Sequence, residues 1–233
     1  HQNDARRALI DLFQVLDTKP EDRDPYMDDD LAAFPYVNGG LFADENIIIP
    51  RLDETIVDLL LHRASSDFDW SSISPTIFGA VFESTLHPET RRSGGMHYTS
   101  IENIHKVIDP LFLDDLKAEL AEIQSITVET TRKRRLKDYQ HKLAGLKFLD
   151  PACGSGNFLT ETYISLRKLE NEALRSLSDQ IMLGDVTNPI QVSIGQFYGI
   201  EINDFAVTVA KTALWIAESQ MMKETEDIMH MSL

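Results

Sequence analysis

The sequence predicts an α/β fold in which a mainly helical region, residues 1–90, precedes a short parallel sheet within residues 91–233. Two apolar runs, at 146–149 and 197–202, have the length and character of buried strands. A helical segment follows each run, the first from about residue 157 and the second from Asp204, whose side chain is expected to cap that helix. The order strand, helix, strand, helix is typical of a sheet whose strands run in parallel.

The region before the sheet consists of a series of predicted helices. Apolar residues recur on one face of residues 4–16, and similar patterns occur at 53–62, 74–86 and 101–113. Residues 114–145 fit one or two further helices. The helices before the sheet are therefore expected to form a substantial part of the fold.

Loops are expected where proline, glycine and polar residues interrupt these patterns. Residues 17–30 are acidic and contain Pro20 and Pro25. The sequence FPYVNGGLF at 34–42 predicts a tight turn, because an Asn-Gly pair tolerates positive backbone angles. Residues 47–49 could form a short strand before the following proline.

Charge and composition limit the class of protein. The chain carries 22 Lys and Arg against 38 Asp and Glu, a formal net charge of -16. This balance argues against a strong nucleic-acid clamp, because affinity for DNA comes largely from lysine and arginine that meet phosphates. No membrane span or secretory signal is visible, and the single cysteine, Cys153, cannot form an internal disulfide. We expect a cytoplasmic protein that does not enter a membrane.

Residues suited to binding a ligand stand at the carboxyl ends of the two predicted strands, where open α/β sheets bind their ligands. Asp150 follows the first apolar run, and Glu201 ends the second. Gly154 and Gly156 lie in the turn after the first strand, where glycine lets the backbone turn sharply and approach a ligand. A carboxylate at Glu201 can accept hydrogen bonds from ribose hydroxyls. The pattern predicts a ligand with a ribose and a polar tail.

Two ligand classes fit this description. A dinucleotide enzyme would carry GxGxxG or GxGxxA, with an acidic residue about 20 positions later. Here Leu159 takes the third glycine position, and Glu201 comes 45 residues after Gly156. Asp150 would repel a pyrophosphate, whereas a carboxylate suits the sulfonium and ammonium of S-adenosylmethionine. The spacing favours S-adenosylmethionine over a nicotinamide or flavin dinucleotide.

Three segments resemble the motifs of DNA amino-methyltransferases. FLDPACGSGNFL at 148–159 resembles motif I, residues 197–202 resemble motif II, and residues 95–99 resemble motif X. The order X, I, II is similar to that of adenine-specific type I and type IIG enzymes. More narrowly, FPYVNGGLF, IFGAVFESTLHPETRRSGGMHYTS and FAVTVAKTALWIAE resemble the MmeI-like group of class I DNA methyltransferases. These stretches lie between residues 34 and 218.

The resemblance implies a partial Rossmann-like class I methyltransferase sheet, with motifs X, I and II inside residues 91–233. It also implies methyl transfer from S-adenosylmethionine to the exocyclic amine of a flipped adenine, in a restriction-modification or phage-defence system. The residues implied in lining the cofactor loop are Ala152, Cys153, Gly154, Gly156, Asn157 and Phe158. The residues implied at the other parts of the cofactor are Tyr98 and Thr99 (methionine moiety), Asp150 (ammonium), Glu201 (ribose) and Ile202 (adenine ring).

The family's catalytic sequence, Asn/Asp-Pro-Pro-Tyr/Phe, does not occur in this chain. The nearest string, Asn188-Pro189-Ile190, precedes motif II and lacks the second proline and the aromatic residue. We therefore expect the motif beyond residue 233, assign no catalytic residue and expect this chain to be inactive by itself. Double-stranded DNA would be bound through regions outside this chain.

Several features have simpler interpretations than catalysis. Cys153 lies inside the cofactor loop and is interpreted as a small packed residue, not as a nucleophile. His87, His97 and His105 lack the spacing of a metal site, so no metal is predicted. The basic run at 132–135 is more typical of a solvated helix face than of a phosphate site.

Two other classes of function remain alternatives. One is a methyltransferase that acts on a protein or a small molecule, which a complete protein without the Asn/Asp-Pro-Pro sequence would favour. The other is a non-catalytic cofactor-binding module, which binding without turnover would favour.

Overall fold

The structure, a computed structural model, describes residues 2–34, 36, 48–67, 73–78, 99–178 and 189–229. The chain divides into two compact units, His1–Ile73 and Ser74–Leu233. The domain boundary predicted at residue 90 lies outside the described residues.

The first unit contains one long helix and several short ones. Helix α1 spans Gln2–Asp17, and α2 spans Asp29–Ala32 after a 3-10 turn at Pro20–Asp22. Helix α3 spans Glu54–Asp58 and continues as a π-helical segment, Leu59–Ser66. The helices predicted at 4–16 and 53–62 are therefore present.

One arginine connects the end of α1 to α2. The Arg23 guanidinium donates hydrogen bonds to the carbonyl groups of Val15, Thr18, Ala32 and Phe34. These bonds satisfy carbonyls at helix ends, which have no partner inside the helix. The predicted turn at 34–42 lies outside the described residues, apart from Phe34 and Tyr36, and residues 48–50 are not a strand.

Between residues 99 and 145, four helical segments precede the sheet in the second unit. Helix α4 spans Ile101–Ile108 and runs through a π-helical segment, Asp109–Leu113, into α5, Asp114–Gln124. Pro110 lies in the π-helical segment, where it cannot donate a backbone hydrogen bond. Helix α6 spans Glu129–Gly145. The prediction of helices in 101–113 and 114–145 is confirmed.

Among the described residues, the sheet consists of two parallel strands. Strand β1 spans Phe148–Asp150, and β2 spans Phe197–Gly199. Phe148 pairs with Phe197 and Asp150 pairs with Gly199, so the two predicted strands end together. The Ile200 amide donates to the Asp150 carbonyl at 2.9 Å and extends the pairing by one residue. The predicted parallel arrangement is therefore present as a small two-stranded sheet.

A long helix follows each strand, as the sequence predicts. Helix α7 spans Asn157–Ser178, and α8 spans Asp204–Met229. The prediction that Asp204 caps α8 is wrong. The cap is Asn203, whose side-chain oxygen accepts from the amides of Phe205 and Ala206 at 3.0 and 3.2 Å. A 3-10 turn at Ile194–Gln196 leads into β2.

An apolar core fills the space between the sheet and helices α4 to α8. Aromatic rings connect the layers, because Phe148 stacks on Phe197 with centroids 5.3 Å apart and planes 10° apart. Phe112 meets Phe148 at 5.1 Å, and Tyr163 meets Phe197 edge-on at 5.6 Å. The paired first residues of the two strands are thus held from both α7 and the π-helical segment.

A buried polar network joins α7 to α8 and to the segment before β2. Arg167 and Glu170, both on α7 and fully buried, form an ion pair. Arg167 also donates to the Thr225 hydroxyl at 2.6 Å on α8. Glu170 accepts from the amides of Gln191 and Val192 at 2.7 and 3.2 Å. The network fixes the path of the chain into β2.

None of the helices in the described part of the chain has the length and apolar character needed to cross a membrane.

Candidate cofactor-binding site

The loop between β1 and α7 makes a sharp turn beside the end of β2. The Cys153 amide donates to the Ile200 carbonyl at 3.1 Å, and the Gly156 amide donates to the Cys153 carbonyl at 2.8 Å. Gly154 and Gly156 have φ angles of 52° and 77°. This left-handed region is unfavourable for residues with a Cβ atom, so the turn depends on glycine at both positions.

The two glycines face different surroundings. A Cβ atom on Gly156 would lie 2.8 Å from the Ala210 Cβ, so this glycine allows the loop to pack against α8. A Cβ atom on Gly154 would meet no atom of the described residues within 4 Å. Gly154 is therefore the position at which the backbone of the loop faces open space.

Asp150 stands at the carboxyl end of β1 and stiffens the start of the loop. Its Oδ1 accepts a hydrogen bond from the Ala152 amide at 3.0 Å. Its Oδ2 has no hydrogen-bond partner within the described part of the chain. One carboxylate oxygen is thus available to accept from a ligand.

Glu201 follows β2 and binds backbone amides on both sides of its position. Its Oε2 accepts from the Gly154 amide at 2.9 Å, and its Oε1 accepts from the amides of Ile202 and Asn203 at 2.8 and 2.9 Å. A carboxylate offers roughly four acceptor positions. Three are used here, so the geometry leaves room for one further hydrogen bond at Oε2.

An open cleft of about 380 Å³ lies beside the loop. Its walls come from the π-helical segment and the end of α4, from β1 with its loop, and from the first turns of α7. The apolar residues that line it include Val107, Ile108, Leu111, Phe112, Phe148, Leu149, Phe158 and Leu159.

The structure brings most of the predicted cofactor residues to this cleft. Those that line it are Thr99, Asp150, Ala152, Cys153, Gly154, Asn157 and Phe158. Gly156 is buried against α8, and Glu201 braces the loop. Ile202 is 93% exposed after β2. Tyr98 lies outside the described residues. The roles of these residues in binding stay predictions.

The sequence reasoning missed the apolar wall contributed by the π-helical segment. Leu111 and Phe112 line the cleft, although the residues at 101–113 were assigned only to a helix. Leu111 is 71% exposed, which is unusual for leucine in a packed helix. The signal in the sequence is the apolar string Pro-Leu-Phe-Leu at 110–113, which is too continuous for a helix with one buried face.

The surroundings of Cys153 disfavour a thiolate. Burial raises the pKa of its thiol, and the carboxylates of Asp150 and Glu201 raise it further. A Cβ atom on Gly199 would lie 2.6 Å from the Cys153 sulfur, so the thiol is packed against β2. The side chain is suited to packing and not to nucleophilic attack.

The other residues considered in the sequence are the three histidines and the basic run at 132–135. His87 and His97 lie outside the described residues, and within the described ranges no group of three or more acidic, histidine or cysteine side chains is arranged to hold a metal ion. In the basic run, Arg132 donates to the Ile126 carbonyl at 3.3 Å, and Lys133 pairs with Glu129 at 2.9 Å.

Comparison with known sequence families gives two matches. Residues 126–232 match the family described as MmeI, DNA-methyltransferase domain. Residues 1–42 match the family described as MmeI, helicase spacer domain. The first match contains the loop, both strands and Glu201, and the second lies within the first compact unit.

Individual proteins show the same similarity. DNA methyltransferase A of Bacillus subtilis (strain 168) is 39% identical over 228 residues, which cover 98% of this chain and 24% of that protein. A solved structure of the type IIL restriction-modification enzyme MmeI in complex with DNA is 42% identical and has a TM-score of 0.83. The alignment covers 99% of this chain and 30% of the MmeI chain. The adenine-specific methyltransferase PglX of Streptomyces coelicolor is 24% identical over 139 residues, 49% of this chain and 11% of PglX. The chain thus spans about a quarter of the length of DNA methyltransferase A.

Proposed function

Because residues 126–232 belong to the MmeI DNA-methyltransferase domain family, we propose that this chain forms the S-adenosylmethionine-binding part of a DNA methyltransferase. The target is the exocyclic amine of adenine, and the setting is a restriction-modification or phage-defence system. The similarity to MmeI, a restriction-modification enzyme solved with DNA, supports the setting and the DNA substrate. The similarity to an adenine-specific relative supports the base.

The observation that carries this proposal is the turn at Gly154. Its backbone faces open space between two carboxylates, Asp150 at the end of β1 and Glu201 after β2. The Asp150 carboxylate would repel the phosphates of a dinucleotide, whereas it suits the sulfonium and ammonium of S-adenosylmethionine. The charge and the open backbone therefore suit this cofactor.

The residues present also fit the size and polarity of the cofactor. The cleft of about 380 Å³ is within the usual range for small-molecule sites, which are mostly apolar with a few polar groups. Asp150 would hold the ammonium, and the free acceptor position on Glu201 would take one ribose hydroxyl. Thr99 would contact the methionine moiety. When bound, S-adenosylmethionine supplies an electrophilic methyl group on its sulfonium.

The side chains of this chain would bind and orient the cofactor, and none of them is proposed as catalytic. Phe112 and Phe148 would exclude water from one wall of the cleft, and Ile202 would pack on the adenine ring. The family's Asn/Asp-Pro-Pro-aromatic sequence does not occur among the 233 residues. We expect residues outside this chain to orient the target amine and to supply most contacts with duplex DNA.

The same reasoning extends to the architecture. The parallel pair β1 and β2, each followed by a long helix, is the arrangement expected at the start of a Rossmann-like class I sheet. We propose residues 91–233 as part of the methyltransferase domain and residues 1–90 as a separate, mainly helical region. A methyl donor and a DNA substrate handled by such a protein are consistent with a cytoplasmic enzyme.

Titration calorimetry with S-adenosylmethionine tests the cofactor assignment. Asp150→Asn removes the charge while keeping the shape, and it should weaken binding about tenfold or more, since a charge-assisted hydrogen bond contributes about 1.5–3 kcal/mol. Asp138→Asn on the exposed face of α6 is the matched control and should bind normally. NAD and FAD should not bind. Unchanged affinity in Asp150→Asn, or saturable NAD binding, would contradict the assignment.

Activity is tested with the complete gene product, tritiated S-adenosylmethionine and plasmid DNA. Label in N6-methyladenine is the expected result. Label in protein or in a small molecule instead would favour the first alternative. Cofactor binding with no transfer to any substrate would favour a non-catalytic binding module.

A further inference from the structure

A histidine lies between two carboxylates behind the wall of the cleft. The His105 Nδ1 atom lies 2.7 Å from the Asp109 Oδ1, and its Nε2 lies 3.2 Å from the Glu161 Oε1. Glu161 is buried on α7, and its other oxygen accepts a hydrogen bond of 3.1 Å from the buried hydroxyl of Thr76. Each ring nitrogen thus lies within hydrogen-bonding distance of one carboxylate.

This geometry selects the protonated ring. A neutral imidazole has one N–H donor and one acceptor nitrogen, so it would turn a lone pair toward a carboxylate. An imidazolium donates at both nitrogens and neutralises one negative charge. The hydrogen bond with Asp109 raises the pKa of His105, partial burial opposes the rise, and the contact with Glu161 adds to it.

The charged groups around the ring come from four helical segments, namely α4, the π-helical segment, α5 and α7. Besides Asp109 and Glu161, Lys117 on α5 places its Nζ 3.8 Å from the Asp109 Oδ1. On α4 itself, Lys106 pairs with Glu102 at 2.8 Å, and both are exposed. The Lys117 Nζ also lies 3.9 Å from the Asp114 Oδ1, so His105 with a charged ring and Lys117 together leave one of three carboxylates unbalanced. Loss of the ring proton adds a second unbalanced negative charge to the cluster.

The two elements joined by the ring form two of the walls of the cleft. His105 is on α4, which continues into the π-helical segment that carries Leu111 and Phe112. Glu161 is on the first turns of α7, next to Thr162, which lines the cleft. The contact between His105 and Glu161 therefore joins these two walls directly.

We propose that His105 is a positioning residue whose imidazolium holds α4 and α7 together, so that the cleft loses affinity for its ligand when the ring loses its proton. The inference rests on the proposed function for the identity of that ligand, S-adenosylmethionine. It concerns a residue that contacts neither the loop nor the carboxylates assigned to the cofactor.

Calorimetric titration with S-adenosylmethionine between pH 6 and pH 9 tests this role. We compare the wild type with His105→Gln, Glu161→Gln and the control His141→Gln, an exposed histidine on α6 whose ring contacts the Lys137 carbonyl. The wild type and His141→Gln should lose at least fivefold more affinity across this range than His105→Gln does. The amino group of the ligand also titrates, but it does so equally for every variant. Equal pH profiles for the wild type and His105→Gln would overturn the proposal.

Two further measurements separate this inference from the proposed function. In proton NMR, the His105 ring should titrate above the ordinary histidine pKa, and Glu161→Gln should lower its midpoint. Amide hydrogen exchange in residues 101–113, measured at one neutral pH, should be faster in His105→Gln than in the wild type.

The outcomes of these measurements are distinguishable. If the wild type binds no S-adenosylmethionine, the proposed function fails, and the hydrogen-exchange comparison still tests whether His105 holds α4 and α7 together. Unchanged exchange, or a His105 ring that titrates at or below the ordinary histidine pKa, would overturn the positioning role. Glu161→Gln serves if His105→Gln does not fold.

Discussion

The Gly154 amide donates a 2.9 Å hydrogen bond to the Glu201 Oε2, although the two residues are 47 positions apart in the chain. The bond joins the loop after β1 to the residue that follows β2. The second oxygen of the same carboxylate accepts the amides of Ile202 and Asn203. One side chain therefore shapes both segments that the sequence assigns to the cofactor.

Glu201→Ala is expected to lower both stability and cofactor affinity. Three backbone amides lose their acceptor, which should reduce the free energy of unfolding by about 1–3 kcal/mol. Affinity for S-adenosylmethionine should fall by more than stability alone accounts for, because the loop is released and a ribose acceptor is lost. Urea unfolding and titration calorimetry measure the two effects separately.

Glu201→Gln provides a finer comparison, because the amide keeps one acceptor oxygen. It should retain part of the stability that Glu201→Ala loses. Glu102→Ala on the exposed face of α4 removes only a surface ion pair and should change stability by less than about 1 kcal/mol. A Glu201→Ala protein as stable as Glu102→Ala would show that the carboxylate does not brace the loop.

The two glycines of the loop should respond differently to alanine. Gly154→Ala adds a methyl group in open space at a φ of 52°, so it should cost only the backbone penalty of about 1–2 kcal/mol. Gly156→Ala meets Ala210 at 2.8 Å as well and should cost a further 1–3 kcal/mol or so for overpacking. Gly154→Ala should lower the free energy of unfolding less than Gly156→Ala does. For the same loss of stability, however, Gly154→Ala should reduce cofactor affinity more.

A second-site change checks this explanation. Gly156→Ala combined with Ala210→Gly removes the close contact and should recover part of the lost stability, apart from the cost of a new glycine within α8. The comparison is made by thermal unfolding of the wild type, Gly156→Ala, Ala210→Gly and the double variant. No recovery in the double variant would mean that the backbone angle, and not the packing, determines the cost at Gly156.

The sequence predicted the parts of the site that depend on local spacing. The strand ends at Asp150 and Glu201 and the glycine turn follow from short patterns that physics constrains strongly, so the structure places them together. The sequence did not predict that Gly156 packs against α8 while Gly154 faces open space. This difference depends on Ala210, more than 50 residues away on another helix, and no local pattern shows that approach.

The cap of α8 and the cluster at His105 show the same limit. Asn203 and Asp204 are both good capping residues, and only the backbone geometry after Glu201 decides that Asn203 accepts the amides. His105 and Asp109 are four positions apart on a predicted helix, so their contact was accessible from sequence. The contact with Glu161, which gives the histidine its bridging position, requires the packing of α4 on α7.

The buried pair of Arg167 and Glu170 gives a prediction about folding. Glu170→Ala leaves a guanidinium buried without its counter-charge and should lower the free energy of unfolding by about 3–5 kcal/mol. Replacing both residues with methionine should cost less than the sum of the two single methionine variants, because each single variant leaves a lone buried charge and the double variant leaves none. Urea unfolding of this double-mutant cycle measures the coupling, and strict additivity would show that the ion pair contributes nothing of its own.

The last prediction is that the 233-residue chain by itself transfers no methyl group to DNA and binds duplex DNA weakly. Its net charge of -16 repels phosphate, and two of the four cations at 132–135 are already engaged with Ile126 and Glu129. The string nearest to the family's catalytic sequence includes Pro189, which is buried with its carbonyl accepting from Gln140 at 3.3 Å. A proline held in this way is part of the packing and is not presented to a flipped base.

The measurement is incorporation of label from tritiated S-adenosylmethionine into plasmid DNA, with the complete gene product assayed beside the chain. Incorporation by the chain that disappears in Asn188→Ala would show that the catalytic residues lie within these 233 after all.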